Sequence, residues 1–316
     1  MEKLLTIVLI ARNDNYKGNF KNRLKNSINY NCKKIDELGF SKNTEMLLVD
    51  WNSEIPIQDD LILNKEAAQI CRFININPKL AAKNMNPGKV FQIPCAMNVG
   101  IRLSDSQFTF VISADMIISK YSLKNLFELL LGKIKVPFNL NNHLSIIPTK
   151  SLPYDPSLIN MNILDIDEII YRNGPELKNV CKELPGTGLG HIGMMNKSMW
   201  NKFRGYDEKF IHYGWHEEEL ALRVNQEYSW TNLSFLGIHA FDFAEPKSND
   251  DINQIVNAHK VPLTLVPNDI NWGLGQYKLE KIKFNINSQK KIKHTKKISS
   301  KKKPTKSEFL DHINSK

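Results

Sequence analysis

Apolar positions along this chain alternate between two rhythms from the first residues onward. Residues 4–10 are a continuous apolar run of strand length, the pattern of a strand buried on both faces. Phe20, Leu24 and Ile28 then recur at helical spacing, and Gly39 supplies a stop. Residues 46–49 read as a second strand ending at Asp50, and residues 71–76 as a third. Residues 108–112 read as a fourth strand that runs out towards Asp115, and Leu123, Leu126, Phe127 and Leu130 mark the helix after it. Strand and helix in alternation predict an α/β fold with a mostly parallel sheet, right-handed crossovers and helices on its faces. In such sheets ligands collect beyond the carboxyl ends of the strands. Asn13, Asp14, Asp50 and Asp115 all fall just past strand ends, so the topology predicts that they converge on one crevice.

The second half, residues 133–280, is richer in loops, with prolines at 137, 148, 153, 156, 175 and 185. The expected division is a ligand-binding half at 1–132, a second, loop-rich half of the same domain at 133–280, and a tail at 281–316. Charge sharpens that last boundary. Twelve lysines and two acids in 281–316 account for the whole net charge of +10, so the body is neutral. The run KKIKHTKKISSKKKPTK has few apolar residues and reads as a disordered, solvated tail with the option of adhering to anionic lipid. No aromatic side chain is interleaved with those lysines for base stacking, which argues against nucleic acid as a partner.

Composition excludes little more. Apolar residues make up 41% and charged residues 24% of 316 positions, ordinary values for a soluble domain. No apolar run approaches the roughly 20 residues that span a bilayer. The opening apolar stretch lacks a small-residue cleavage site and reads as a first strand rather than a signal peptide. Cys32, Cys71, Cys95 and Cys181 show neither CxxC spacing nor a disulfide ladder, so a reducing cytoplasm is expected.

The chemistry concentrates in residues 205–223, GYDEKFIHYGWHEEELALR, where a glycine–tryptophan turn leads three consecutive glutamates into a helix. A carboxylate on a first helical turn is held rigidly enough to act as a general base. Acids there also simply complement the helix dipole, and Arg223, four residues past Glu219, predicts an intrahelical ion pair for that acid. Trp200 shares helical spacing with Phe203 and reads as core. Two other patterns are incidental. Gly188-x-Gly190-x-x-Gly193 does not follow a strand, and His212 and His216 flank a glycine that breaks the helix needed to align them.

Taken in order, LLTIVLIARND, EMLLVDWNS, AMNVGIRLSDSQFTFVISADM and GYDEKFIHYGWHEEELALR resemble the motifs of GT-A fold glycosyltransferases, family 2-like with a galactosyltransferase-type C-terminal segment, over residues 4–245. The resemblance implies an enzyme that moves a hexose from a nucleotide sugar, most plausibly a UDP-hexose, to a glycan or lipid-linked acceptor with inversion, in the cytoplasm or at the inner face of the membrane. It implies that Ala11, Arg12, Asp14, Asp50 and Ser113 line the nucleotide sugar and that Asn98 supports the diphosphate loop. Asp115 would hold Mn²⁺ or Mg²⁺, with His239 as a further ligand. Glu217 would be the base with Glu218 in reserve, and Gly188, Trp215 and His216 would meet the acceptor. The chain departs from the pattern twice, carrying Ser113 and His216 where acids are usual. Asp115 as a mere helix cap, His239 as a structural histidine, a catalytically inactive glycan-binding relative and a nucleotidyltransferase are the alternatives.

Overall fold

The apolar runs form strands because each has hydrophobic side chains for two layers. The computed structural model describes residues 3–14, 16, 18–84, 91–152, 170, 193–210, 216–243 and 264–286. In chain order the strands are β1 (Lys3–Ala11), β2 (Thr44–Trp51), β3 (Cys71–Ile76), β4 (Ser106–Val111), β5 (Ile117–Ile118), β6 (His143–Ile146), β7 (Thr149–Leu152), β8 (Gly193–Asn196), β9 (Ser229–Asn232), β10 (Ala240–Phe243) and β11 (Ile282–Lys283). The helices are α1 (Phe20–Glu37), α2 (Ile57–Asp60), α3 (Lys65–Ile70), α4 (Pro78–Asn84), α5 (Ile93–Leu103), α6 (Lys120–Leu130), α7 (Lys197–Phe203) and α8 (His216–Val224).

Eight strands form the central sheet in the order β11-β3-β2-β1-β4-β8-β6-β9. β3, β2, β1 and β4 are mutually parallel, β8 runs against β4 and β6, and β9 is parallel to β6. A second sheet of three strands, β5-β10-β7, extends from the end of β4. This is a mixed α/β, Rossmann-like architecture with a mostly parallel sheet flanked by helices, consistent with the GT-A arrangement.

Alternation assigns each side chain to a layer. On β1, Leu5, Ile7 and Leu9 join the cluster built with α1, α3 and α6, whereas Val8 joins the opposite cluster with α5, α7 and α8. Close approach on that second face depends on Gly100 of α5, where a Cβ would lie 2.3 Å from Val8 Cγ1. Trp200 and Phe203, read as core from their spacing, are fully buried in the same cluster, and the Trp200 indole donates to the Thr109 carbonyl at 3.0 Å.

One compact unit ends at Phe284, with residues 281–284 packed within it. Lys281 bonds to Glu45 at 2.9 Å and to Asp105, and Ile282 and Lys283 pair antiparallel with β3. Phe284 is buried near Phe73. Residues 287–316, the rest of the expected tail, lie outside the described residues. No described helix is long and apolar enough to cross a membrane. Cys32, Cys71 and Cys95 are free thiols in the core.

One core group makes stability depend on pH. His143, at the start of β6, stacks on Phe138 with ring centroids 3.9 Å apart, and its Nδ1 lies 2.9 Å from the Ser229 hydroxyl. Its buried Nε2 meets no partner among the described residues. Burial lowers the imidazole pKa from 6.5 to about 4. The unfolded chain therefore binds this proton at a higher pH than the folded form does. Stability falls as pH drops from 6.5 towards about 4 and is unaffected by this group above 6.5. In His143→Phe, chemical denaturation across that window will show a shallower loss than in the parent chain. Parallel curves would exclude His143 as the source.

Candidate active site

The carboxyl ends of β1 and β2 are tied together by backbone and short side chains. The Asn13 N–H donates to Ser53 Oγ at 2.7 Å, and the Asn13 amide reaches the Ile55 carbonyl at 2.9 Å. Behind that contact, Asp50 is 2% exposed. Its two oxygens accept from the Ser53 hydroxyl and, at 2.7 Å, from the Ile57 N–H that opens α2. Burial raises the Asp50 pKa, and the Ser53 and Ile57 bonds oppose that rise. Both Asp50 oxygens are therefore engaged within the turn that follows β2.

Ala11 is buried, and Arg12 and Asp14 pair with each other at 2.5 Å, each side chain 35% exposed. Asp14 also accepts from the Tyr16 N–H at 3.1 Å, so the acid organises the loop and the arginine stands at its rim.

Beyond β4, the Met116 N–H closes a turn onto the Ser113 carbonyl at 3.2 Å and projects Asp115 from the strand end. Asp115 does not cap the next helix. Ser119 does, accepting from the Ser122 N–H at 3.1 Å. Asp115 accepts from Arg23 Nε at 3.0 Å, and the Arg23 side chain is only 2% exposed. Arg23 also donates to the Gly18 and Tyr16 carbonyls and lies over the Phe20 ring at 5.7 Å. Sequence reasoning missed it. The available signal was an arginine three residues past Phe20, on the buried stripe of an amphipathic helix.

His239 immediately precedes β10, which runs antiparallel to β5 with Ala240 opposite Ile118 and Phe241 opposite Ile117. The imidazole is half-buried, and its pKa is lowered by burial and by Lys150. The His239 backbone N–H donates to Ser122 Oγ at 3.1 Å. Among the described residues no three acidic, histidine or cysteine side chains gather as a metal-holding group. Among the described residues Asp115 therefore offers Mn²⁺ or Mg²⁺ a poor fit, one carboxylate already paired with a guanidinium.

The three glutamates occupy the first turn of α8, where Glu217, Glu218 and Glu219 are at most 8% exposed. They are not equivalent. Glu219 and the fully buried Arg223 form a two-pronged pair at 2.5 and 2.9 Å, and Arg223 donates onward to the Phe203 and Gly205 carbonyls. That pair, anticipated from its i,i+4 spacing, fastens α8 to the end of α7. Burial raises the Glu219 pKa and Arg223 opposes it. Glu217 Oε1 instead lies 2.7 Å from His216 Nε2.

Tyr206 connects this turn to the end of β4. Its ring is 5.8 Å from that of His216, and burial together with Glu217 raises its phenol pKa. Its hydroxyl lies 3.8 Å from the position a Cβ would take on Gly193, the residue paired with Val111 of β4. The His216–Glu217 turn is thus linked to the carboxyl edge of the parallel strands.

Asn98 is fully buried and braces residues 206–208. Its amide donates to the Tyr206 carbonyl at 2.8 Å and to Glu208 Oε1 at 2.9 Å, and its oxygen accepts from the Tyr206 N–H at 2.8 Å. With every polar atom engaged, a phosphate contact by Asn98 would cost one of these bonds. Gly205, at φ +69°, makes the approach possible, because a Cβ there would lie 2.0 Å from Asn98 Oδ1. Gly188 and Trp215 lie outside the described residues. Two surface cavities, of about 390 Å³ beside Lys3 and Phe40 and about 400 Å³ beside Asn75 and Tyr277, include none of the expected site residues.

No family model matches the chain, and no curated protein matches it in sequence. Among solved structures, the chain is similar to S. aureus TarS at 12% identity with a TM-score of 0.43. That match covers 77% of this chain and 37% of the other, so the chain spans little more than a third of that protein's length.

Proposed function

We propose that the chain is a glycosyltransferase that moves a hexose from a nucleotide sugar, most plausibly a UDP-hexose, to a hydroxyl of a glycan or lipid-linked acceptor, with inversion. The observation that carries this reading is the linkage of the Glu217 turn, through Tyr206 and Gly193, to the strand edge that presents Arg12, Ser113 and Asp115. Donor sites in parallel α/β sheets lie at that edge, and a buried carboxylate beside it is placed to take a proton.

In the proposed reaction Glu217 accepts the acceptor hydroxyl proton. The freed oxygen forms a bond to the anomeric carbon from the face opposite the phosphate. The anomeric carbon–oxygen bond breaks, and the nucleoside diphosphate leaves with the electron pair. His216 Nε2, 2.7 Å from Glu217 Oε1, is the neighbouring group that can share the proton. Arg12, paired with Asp14 and one-third exposed, is a cation that a diphosphate can reach. The lysines beyond residue 285 would keep the enzyme near an anionic surface carrying its acceptor.

A thermal-shift screen of nucleotides and nucleotide sugars tests the reading. Stabilisation by one or more sugar diphosphonucleosides is expected, with free nucleotide giving a smaller shift. A response to nucleoside triphosphates alone would favour nucleotidyl transfer, and no response at all would favour an inactive glycan-binding protein.

A further inference from the structure

Asp115 is the one carboxylate beyond β4 that the resemblance assigns to a divalent cation, and its surroundings argue against that occupant. We infer that the ion pair with Arg23 takes the place of a divalent cation at Asp115, and that this site binds its nucleotide ligand without one.

Three observations converge. The Arg23 Nε stands 3.0 Å from Asp115 Oδ2, so one lone-pair direction of this carboxylate is occupied. The guanidinium cannot swing aside cheaply. It is held by the Gly18 and Tyr16 carbonyls, and its side chain is 2% exposed, so moving it would strand buried donors. Ser113 contributes a neutral hydroxyl where a second acid would be needed to offset a doubly charged ion. A divalent cation entering here would meet one already neutralised carboxylate and a fixed charge of its own sign a few ångströms away. Both like-charge repulsion and the shortage of hard oxygen ligands oppose binding.

The pair also supplies what a bridging ion supplies mechanically. It ties the loop after β4 to the turn preceding α1, so that two walls of the crevice keep their spacing. Arg23 is in this sense a positioning residue. Its charge is spent on Asp115 and the loop carbonyls, which leaves Arg12 to meet the ligand.

Direct titration of Mn²⁺ followed by electron paramagnetic resonance tests the cation claim on the whole chain, with no turnover required. The expected result is weak binding that Asp115→Asn leaves unchanged, and an affinity gain of about tenfold or more in Arg23→Gln, where the competing charge is gone. Arg23→Lys, which keeps the charge, should resemble the parent chain. Tight binding of one Mn²⁺ by the parent chain that Asp115→Asn abolishes would overturn the inference, whether or not the Arg23 variants fold.

The ligand half of the claim rests on the proposed function. It predicts equal stabilisation by UDP-hexoses in EDTA and in Mn²⁺. Stabilisation that appears only with Mn²⁺ overturns the inference and leaves the glycosyltransferase reading intact. Silence with every nucleotide sugar in both buffers defeats that reading, while the Mn²⁺ titration still decides what Asp115 binds.

Discussion

Glu217→Gln will lower sugar transfer by about 10²–10⁴-fold while leaving donor affinity within about twofold of the parent chain, the range expected when a general base is removed and nothing else is disturbed. The glutamine keeps the size of the side chain and an oxygen towards His216 Nε2, now 2.7 Å from Glu217 Oε1, so packing in the first turn of α8 is retained. What is lost is the capacity to take a proton. The loss should therefore appear in kcat, with donor binding measured by calorimetry unchanged. The neighbouring acids serve as internal comparisons. Glu218→Gln should cost far less, and a larger loss there than at Glu217 would transfer the role of base to Glu218. Glu219→Gln should act through stability instead, because its carboxylate is committed to the buried Arg223. Turnover within tenfold of normal in Glu217→Gln would remove this residue from the mechanism.

Asn98→Ala will destabilise the fold by about 2–4 kcal/mol, enough to remove a large part of the stability of an ordinary domain. The side chain makes three buried hydrogen bonds to residues 206–208. Its loss is not shared equally by its partners. The Tyr206 carbonyl still accepts from Asn268 at 2.6 Å, and Glu208 still accepts from the Gly273 N–H at 2.6 Å. The Tyr206 N–H has no such replacement, and a buried donor left unpaired carries the full desolvation cost. Glu208, whose pKa burial already raises, also loses its amide donor. The denaturant midpoint should fall with the slope unchanged, which separates lost stability from a change in compactness. A change below about 1 kcal/mol would mean that the 204–208 turn is held by Arg204, Asn268 and Arg223 without Asn98. Because this turn also carries Tyr206 against the Glu217 turn, donor binding and transfer should decline together in the variant.

The legible parts of this chain are those whose physics is local. β1 to β4 were readable because strands buried on both faces need unbroken apolar runs, and α1 and α6 because one stripe of each faces the sheet. The Glu219–Arg223 pair was readable from spacing alone. β6, β8 and β9 were not. Each has four residues, and GMMN or HLSI becomes a strand only through the neighbours it pairs with. The direction in which β10 meets β5 likewise belongs to the tertiary structure and could not be read from a count along the chain. Residues 281–284 looked like the start of a lysine tail, yet Lys281 finds Glu45 and Asp105 in the fold. Asp50 was placed correctly at a strand end, but whether its carboxylate faces a ligand or its own turn depends on the Ser53 and Ile57 donors. Arg23 was overlooked because a charge on an apolar stripe looks like noise until its partner, 92 residues away, is seen.

A crystal structure of the full chain soaked with a UDP-hexose puts the central claim to its most direct test. Density for the nucleotide is expected across the carboxyl ends of β1, β2 and β4, with the diphosphate near Arg12 and the anomeric carbon facing Glu217. A nucleotide bound instead in the cavity beside Lys3 and Phe40, at the opposite ends of the strands, or seated at the expected edge with Glu217 turned away from the sugar, would contradict it.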